Sequence, residues 1–183
     1  WTYNLSAYRR RNVLRMRTHF DTLFLDRDGV INIKIDNEYI VKSSDFEFIP
    51  GALLAIEKLS SIFKRIIIVT NQQGIGKKLM TEQDLLYLHE KMLIEIEQVG
   101  GKIDRIYYCP HLASANCECR KPKSGMIIQA IEDFPSIDSK FSYLIGDSDS
   151  DIEAGEQEHL YTVKVDNEYT LSKWCNELLS VIQ

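Results

Sequence analysis

The sequence predicts an α/β fold in which parallel strands, buried on both faces, alternate with amphipathic helices. The run at residues 65–70 (RIIIVT) is β-branched at its centre, which is typical of a strand inside a parallel sheet. Apolar residues at helical spacing follow between Leu85 and Val99, so a helix comes after this strand. Polar residues stand at the ends of several apolar runs, where open α/β sheets bind their ligands.

The other elements continue this alternation. Further strands are predicted at residues 22–25, 103–108, 141–145 and 161–165. Further helices are predicted after residue 51, after residue 124, after the GDSDSD segment and over residues 169–182. Thr81 and Asp84 form a capping-box pattern, and Ser124 is predicted to cap the helix that follows it.

Composition limits the class of protein. With 183 residues, 44% of them hydrophobic, the chain is long enough for one domain with a sizeable core. Its net charge of −5 provides no basic footprint for nucleic acid or an anionic membrane. No apolar run approaches the roughly 20 residues that a membrane-spanning helix needs. We therefore expect a cytoplasmic, monomeric protein without nucleic-acid or membrane partners.

The first residues form a basic stretch that stands apart from the rest. Arginines occupy positions 9, 10, 11, 15 and 17, and the chain begins without methionine. We expect residues 1–20 to be a solvated N-terminal extension, or a linker remnant of a domain fused upstream, and a basic arm for an acidic partner is the alternative. Residues 21–183 then form the folded domain.

The segment at residues 23–32 (LFLDRDGVIN) carries the pattern around which the chain is organised. Asp26 and Asp28 follow the first strand, and Gly29 permits a sharp exit from the sheet. An aspartate here can attack phosphorus and form an aspartyl phosphate, while a second carboxyl transfers protons. The alternative is a turn whose acids are solvated or hold a cation. The other strand ends decide between these interpretations.

Two further features suit phosphate chemistry. Thr70 and Asn71 end the second strand, where they either terminate it or donate hydrogen bonds to a phosphoryl oxygen. Arg120 and Lys121 follow the third strand and can clamp or balance oxyanions, although solvent-facing basic residues are the ordinary alternative. Together they would surround a phosphoryl group with donors and positive charge.

A second acidic cluster follows the fourth strand. Asp147, Asp149 and Asp151 alternate in GDSDSD and face the acids of the first strand end. Such a concentration of carboxylates is costly without a cation. Magnesium is the natural candidate because it takes carboxylate and carbonyl oxygens and keeps several waters.

Three of the four cysteines indicate a metal site instead of disulfides. Cys109, Cys117 and Cys119 crowd around His111, while Cys175 stands alone near the C-terminus. Three thiolates and an imidazole form a closed tetrahedral set for zinc. Since protein atoms fill every position, the zinc would be structural and would order the loop that carries Arg120 and Lys121.

The order DRDGV, TNQ, a basic residue and GDxxxD resembles that of the haloacid dehalogenase superfamily of phosphohydrolases. The resemblance runs from about Thr22 to Val165. The zinc loop narrows it to the branch that contains D-glycero-D-manno-heptose 1,7-bisphosphate phosphatase and histidinol phosphatase. The resemblance implies a three-layer, Rossmann-like fold with a parallel central sheet, a zinc-stabilised loop and no large cap domain.

The same resemblance implies roles for particular residues. Asp26 would be the nucleophile and Asp28 the general acid and base, with Thr70 and Lys121 completing the catalytic set. Asn32, Asn71 and Arg120 would bind substrate. Magnesium would be held by the Asp26 and Asp147 carboxylates and by the backbone carbonyl of Asp28.

The resemblance implies a magnesium-dependent phosphatase for a small phosphorylated sugar, with removal of the 7-phosphate of heptose bisphosphate as the favoured activity. Histidinol-phosphate hydrolysis, repair of nucleic-acid 3′-phosphate ends and a catalytically silent zinc-stabilised binding domain are the alternatives. The chain departs from the family pattern at Lys78, Ser148 and the pair Glu158-His159. The first two of these departures concern substrate contacts and leave the predicted nucleophile, acid and metal ligands intact.

Overall fold

The computed structural model describes residues 20–35 and 39–182, and in this part of the chain a five-stranded parallel sheet forms the centre. The strand order is β3-β2-β1-β4-β5. The strands are β1 (Thr22–Leu25), β2 (Arg65–Asn71), β3 (Arg105–Cys109), β4 (Tyr143–Gly146) and β5 (Tyr161–Lys164). The predicted parallel α/β sheet is therefore confirmed, and residues 1–19 of the predicted extension lie outside the described residues.

The central strand β1 determines where a site can form. All four of its residues are buried, and Leu23 pairs with Ile66 of β2 on one side and Tyr143 of β4 on the other. The chain first extends the sheet through β2 and β3, then returns to the opposite side of β1 for β4 and β5. This reversal between β1 and β4 opens a crevice at their carboxyl ends.

Helices cover both faces of the sheet and make the fold three-layered. They are α1 (Ala52–Ser60), α2 (Gln73–Gly76), α3 (Glu82–Gln98), α4 (Gly125–Asp133), α5 (Asp149–Gln157) and α6 (Leu171–Ile182). Single 3₁₀ turns occur at Ser43–Asp45, Ala113–Ala115 and Ser139–Phe141. None of the described helices is long and apolar enough to cross a lipid bilayer.

Alternating residues of the buried strands feed two separate cores. Leu23 and Leu25 face a core shared with α1, α3 and α6, while Phe24 faces a core shared with α4 and α5. Successive strand residues point to opposite faces, so a strand covered on both sides must be apolar throughout. Phe20 closes the first core by packing its ring against Phe63 and Tyr143.

Local details differ from the sequence prediction at one helix start. The Thr81–Asp84 capping box is present, but the Ser124 side chain makes no capping hydrogen bond. Its carbonyl instead accepts from Ile127 and Ile128 at the start of α4. Lys78 has a left-handed backbone (φ 59°), which explains the expectation of glycine there, and its side chain lies outside the crevice.

Candidate active site

A crevice of about 260 Å³ lies at the carboxyl ends of β1, β2 and β4. Its lining includes seven residues predicted from the sequence to be functional. They are Asp26, Asp28, Thr70, Asn71, Arg120, Lys121 and Asp147. Within the described residues no cap domain stands over this crevice.

Lys121 is the central cation of the site. Its Nζ atom lies 2.8 Å from Asp26 Oδ1 and 2.5 Å from Asp151 Oδ1. Nζ also donates to the Val69 carbonyl at 2.7 Å, so its hydrogens are used by β1, β2 and the residues after β4. Burial lowers the pKa of Lys121, but the charges of Asp26 and Asp151 outweigh it and raise the pKa above its ordinary value.

Asp26 is buried among other charges. Burial raises its pKa to about 7, and the neighbouring Asp151 and Asp28 carboxylates add to the rise that Lys121 opposes. One ammonium is therefore too little positive charge to keep this group of acids fully ionised. A divalent cation beside Asp26 would supply the missing charge.

The carboxylates of Asp26, Asp147 and Asp151 can bring one oxygen each within 4.8 Å of one another. Asp147 Oδ1 is buried and has no hydrogen-bond partner among the described residues, while Oδ2 accepts from Lys34 Nζ at 2.6 Å. An oxygen-only donor set with an unsatisfied buried carboxylate fits magnesium. Asp151 was predicted as part of the acidic cluster but not as a magnesium ligand, and Lys34 was not predicted at all.

Two glycines let the acidic loops come together. A Cβ atom at Gly29 would lie 2.5 Å from Asp147 Oδ2, and one at Gly146 would lie 2.1 Å from the Asp151 Cβ. Gly29 also has a φ of 88°, which L-residues with side chains rarely adopt. The distance between the carboxylates of β1 and β4 thus depends on positions without side chains.

Asp28 is held by a group of donors on the side of α3. Arg27 Nη2 lies 2.9 and 3.0 Å from the two carboxylate oxygens, and Gln72 Nε2 donates to Oδ2 at 2.9 Å. Burial alone would raise the pKa of Asp28, but the charge of Arg27 and the donated hydrogen bonds hold it below its ordinary value. The carboxylate is thus ionised and fixed in orientation before any substrate is bound.

Asn32 lies deeper in the structure than the sequence analysis expected. It was expected to bind substrate, but it is fully buried and lies outside the crevice lining. Its amide donates to Asp28 Oδ1 at 3.0 Å and to the Ile33 carbonyl at 2.9 Å. Direct contact between Asn32 and substrate stays a prediction, and in this structure the side chain fixes Asp28.

The end of β2 presents donors to the crevice. Thr70 Oγ1 accepts from Gln72 Nε2 at 2.9 Å, which leaves its own hydrogen for another acceptor. Asn71 exchanges two hydrogen bonds with the backbone of Lys121, each of 3.1 Å. Asn71 therefore fixes the segment that delivers Lys121 and retains one amide hydrogen for a ligand.

The predicted zinc ligands converge. Sγ of Cys109 lies 3.5 Å from Sγ of Cys117 and 3.6 Å from Nδ1 of His111. Cys119 Sγ lies 3.4 Å from Cys117 Sγ and 3.2 Å from the same ring nitrogen. A tetrahedral zinc with Zn–S bonds of about 2.3 Å has S···S edges of about 3.8 Å, so the four atoms fit this ion.

The loop carrying these ligands also positions Arg120. This side chain lines the crevice, and its Nη1 atom is buried without a hydrogen-bond partner among the described residues. A buried guanidinium nitrogen without an acceptor is costly, and an anionic ligand would satisfy it. Arg120 is therefore suited to contact the part of a substrate that extends beyond Asp26.

Sequence reasoning missed three buried residues beside Asp28: Arg27, Gln72 and His89. Arg27 is 1% exposed and Nη1 lies 3.1 Å from His89 Nε2 on α3. Gln72 was named only as part of TNQ, and no function was predicted for His89. The signal that could have identified Arg27 is its position between Asp26 and Asp28 at the end of an apolar strand. A charged side chain that is buried there must have polar partners.

The arrangement defines a class of enzyme. Three features occur together on this three-layer α/β fold: an aspartate after β1 that can act as a nucleophile, a buried lysine, and acids after β4. This combination is that of haloacid dehalogenase superfamily phosphatases. The chain belongs to the family described as polynucleotide kinase 3 phosphatase, whose model matches residues 21–173.

Individual relatives are similar to this chain in sequence. A D-glycero-alpha-D-manno-heptose-1,7-bisphosphate 7-phosphatase of Campylobacter jejuni is 44% identical over 146 residues, 80% of this chain and 82% of the relative. A D-glycero-beta-D-manno-heptose-1,7-bisphosphate 7-phosphatase of Neisseria meningitidis serogroup A is 44% identical over 134 residues, 72% of this chain and 70% of the relative. The chain is thus a phosphatase similar to enzymes of both anomeric types.

A solved structure gives the same result. The D,D-heptose 1,7-bisphosphate phosphatase of B. bronchiseptica, complexed with magnesium and phosphate, superimposes with a TM-score of 0.81. It is 29% identical in sequence, and the match covers 88% of this chain and 99% of that one. The predicted superfamily fold is confirmed by this similarity.

Removal of zinc is expected to loosen the loop between Cys109 and Lys121. We expect the stability of this loop to depend on zinc at the four predicted ligands, because residues 111–116 are exposed and bury little apolar surface. Hydrogen exchange of residues 110–121 should accelerate after chelation, and phosphatase activity should fall because Lys121 loses its support. The variant Cys175→Ser, outside this cluster, should keep the loop protected; unchanged exchange after chelation would contradict a structural zinc.

Stability is expected to depend on His89 below neutral pH. Burial lowers the pKa of His89 to about 3. The positive charge of Arg27 lowers this pKa further, while the negative charge of Asp28 opposes the change. The ring of Tyr108 packs against the imidazole at 6.1 Å. The unfolded chain takes up a proton near pH 6.5 that the folded chain does not, so acidification favours unfolding. From pH 7 to 5 this side chain should remove about 2 kcal/mol of unfolding free energy.

Urea unfolding of the wild type and His89→Gln at the two pH values measures this effect. The variant has no titrating group at this position, so its loss between pH 7 and 5 should be smaller by about 2 kcal/mol. Equal losses in both proteins would show that His89 does not titrate differently in the folded and unfolded states.

Proposed function

We propose that this phosphatase removes the 7-phosphate of D-glycero-D-manno-heptose 1,7-bisphosphate with magnesium as its catalytic cation. The observation that carries the proposal is the identity of 44% over 80% of the chain to an enzyme named for this reaction. The crevice supports it, because it is open and small and has a buried cation at its floor. Arg120 provides a second anion-binding group for a substrate with two phosphates.

In this proposal Asp26 is the nucleophile. One of its oxygens attacks phosphorus, the bond from phosphorus to the sugar oxygen breaks, and an aspartyl phosphate forms. Asp28 gives its proton to the departing sugar oxygen. Asp28 is ionised in the free enzyme and takes up this proton from solvent as the substrate binds, because the incoming phosphate dianion opposes the charge of Arg27 and raises the pKa of Asp28.

The second step returns the enzyme to its starting state. A water molecule attacks the phosphorus of the aspartyl phosphate, and Asp28 accepts the proton that this water loses. The bond between phosphorus and Asp26 breaks, inorganic phosphate leaves, and Asp28 returns its proton to solvent. Lys121 and the Thr70 hydroxyl stabilise the phosphoryl oxygens, on which charge is spread in the transition state.

Asp26, Asp147 and Asp151 would hold magnesium through their carboxylates, and the Asp28 backbone carbonyl is the further proposed ligand. When bound, the ion supplies positive charge against the phosphoryl oxygens and the cluster of acids. Lys34 is paired with Oδ2 of Asp147, so Oδ1 is the oxygen that is free to hold the ion. The half-exposed Lys34 can turn toward the open side of the crevice, where an anionic substrate enters.

Nucleic-acid 3′-phosphate is the second candidate, because the family is named for that activity. The chain carries a net charge of −5, and a polynucleotide is held mainly through its phosphates by clustered basic residues. The small sugar bisphosphate is therefore the favoured substrate. Histidinol phosphate, the other candidate suggested by the sequence, lacks the second phosphate for which Arg120 is suited.

Phosphate release with magnesium tests the substrate assignment. The panel consists of the α and β anomers of heptose 1,7-bisphosphate, histidinol phosphate and a 3′-phosphorylated oligonucleotide. One heptose anomer should exceed the last two substrates in kcat/KM by about a hundredfold, near 2.7 kcal/mol of transition-state preference. A preference for the oligonucleotide or for histidinol phosphate would overturn the substrate and keep the roles of Asp26 and Asp28.

Substitution of the nucleophile tests the mechanism. Asp26→Asn should lower kcat by about a thousandfold or more, the order of loss seen when an enzyme loses its nucleophile. Asp149→Asn is the matched control, because Asp149 is exposed, lies outside the crevice lining and pairs with Lys164. Retention of more than a tenth of the wild-type rate by folded Asp26→Asn would exclude the aspartyl-phosphate mechanism.

A further inference from the structure

His89 is a buried polar group that the proposed reaction does not use. It lies on α3, is 4% exposed, and its ring packs edge to face against Tyr108 at 6.1 Å. The rest of the buried surface of α3 is apolar and consists of Leu85, Leu88, Met92 and Ile96. A histidine among these residues needs a polar partner, and its partner is Arg27.

The guanidinium of Arg27 connects His89 to Asp28. Nε and Nη2 donate to the Asp28 carboxylate, and Nη2 also lies 3.3 Å from Gln72 Oε1. Nη1 is satisfied by His89 Nε2 at 3.1 Å. Because a guanidinium has only donors, Nε2 must be the acceptor, so the proton of the neutral ring is on Nδ1.

This contact determines where the guanidinium can lie. Arg27 is 1% exposed, so it cannot turn into water, and its rigid planar fork fixes Nε and Nη2 once Nη1 is bound. The orientation of the Asp28 carboxylate then follows from two parallel hydrogen bonds. Gln72 and Asn32 complete its surroundings from β2 and the β1 loop.

We propose that His89 is a positioning residue for proton transfer by Asp28, acting through Arg27. The inference rests on the role of Asp28 in the proposed function. A neutral acceptor on α3 orients Arg27, and Arg27 holds the Asp28 carboxylate in line with the leaving oxygen. Removal of the acceptor leaves a buried donor unpaired and frees the guanidinium to seek other partners, so the carboxylate loses its fixed direction.

A pair of nearly isosteric variants isolates the acceptor. His89→Gln keeps an oxygen that can accept from Nη1, whereas His89→Met fills similar space without a comparable acceptor. Both proteins are compared with the wild type on heptose bisphosphate, phenyl phosphate and 4-nitrophenyl phosphate, whose leaving groups need progressively less help from an acid. The parameter is kcat/KM, which reports the step that forms the aspartyl phosphate.

His89→Met should lose about tenfold to a hundredfold in kcat/KM on heptose bisphosphate and phenyl phosphate, part of the factor that acid catalysis supplies. On 4-nitrophenyl phosphate it should stay within about threefold of the wild type, because this leaving group departs without a proton. His89→Gln should recover most of the loss. A structural defect would instead lower kcat/KM on all three substrates together. Thermal unfolding of both variants measures any such defect.

Equal behaviour of the two variants, or equal losses on all three phosphates, would overturn the inference. Asp28→Asn separates it from the proposed function. If Asp28→Asn shows the dependence on leaving group and His89→Met does not, His89 has no part in positioning while Asp28 keeps its role. If Asp28→Asn also lowers kcat/KM equally on all three substrates, the acid role of Asp28 and this inference both fail.

Discussion

The buried ammonium of Lys121 requires three strands to be in place at once. Its partners are a carboxylate after β1, a carbonyl within β2 and a carboxylate at the start of α5, just after β4. The removal of a charge from water costs several kcal/mol per ion, which only well-placed partners offset. The site can therefore assemble only if the strands take this order. A sheet with β4 elsewhere would leave this lysine, or the acids around it, without a counter-charge.

The delivery of Lys121 gives the predicted zinc loop a role beside the crevice. Residues 110–120 have no buried member, and in this segment Cys117 and Cys119 alone pack against an apolar core, so apolar packing contributes little to its course. Four converging ligand atoms at one end and the Asn71 amide at the other confine the loop. Cross-linking by a metal costs no apolar core and tolerates an exposed chain. The position of one side chain thus depends on chemistry several residues away from it.

The sequence predicted most of the fold and of the crevice, for reasons visible in single elements. Residues 22–25 and 65–70 are continuous apolar or β-branched runs, and polar groups at their ends had to meet at one edge. What it could not predict is which neighbours each polar side chain selects. Asn32 was expected to face substrate, but burial by the loop that follows β1 turned it toward Asp28.

Residues on different elements were harder still. His89 has the spacing of a core position on α3, and nothing local indicates that β1 brings a guanidinium against it. Asp151 was identified within GDSDSD. Its contact with Lys121, however, depends on its place in the capping box that begins at Ser148. Pattern and spacing identify elements and strand ends, whereas side-chain partners across the sheet depend on tertiary packing.

The close contact between the two acidic loops also limits how this enzyme can diverge. Because Gly29 and Gly146 leave no room for a side chain, the floor of the crevice cannot be altered there without separating the carboxylates. Lys34 and Tyr39, on the loop at the open side, are under no such restriction and line the same crevice. Substitutions at Lys34 and Tyr39 can therefore change the preferred sugar. The carboxylates at the floor of the crevice keep their positions when these two residues change.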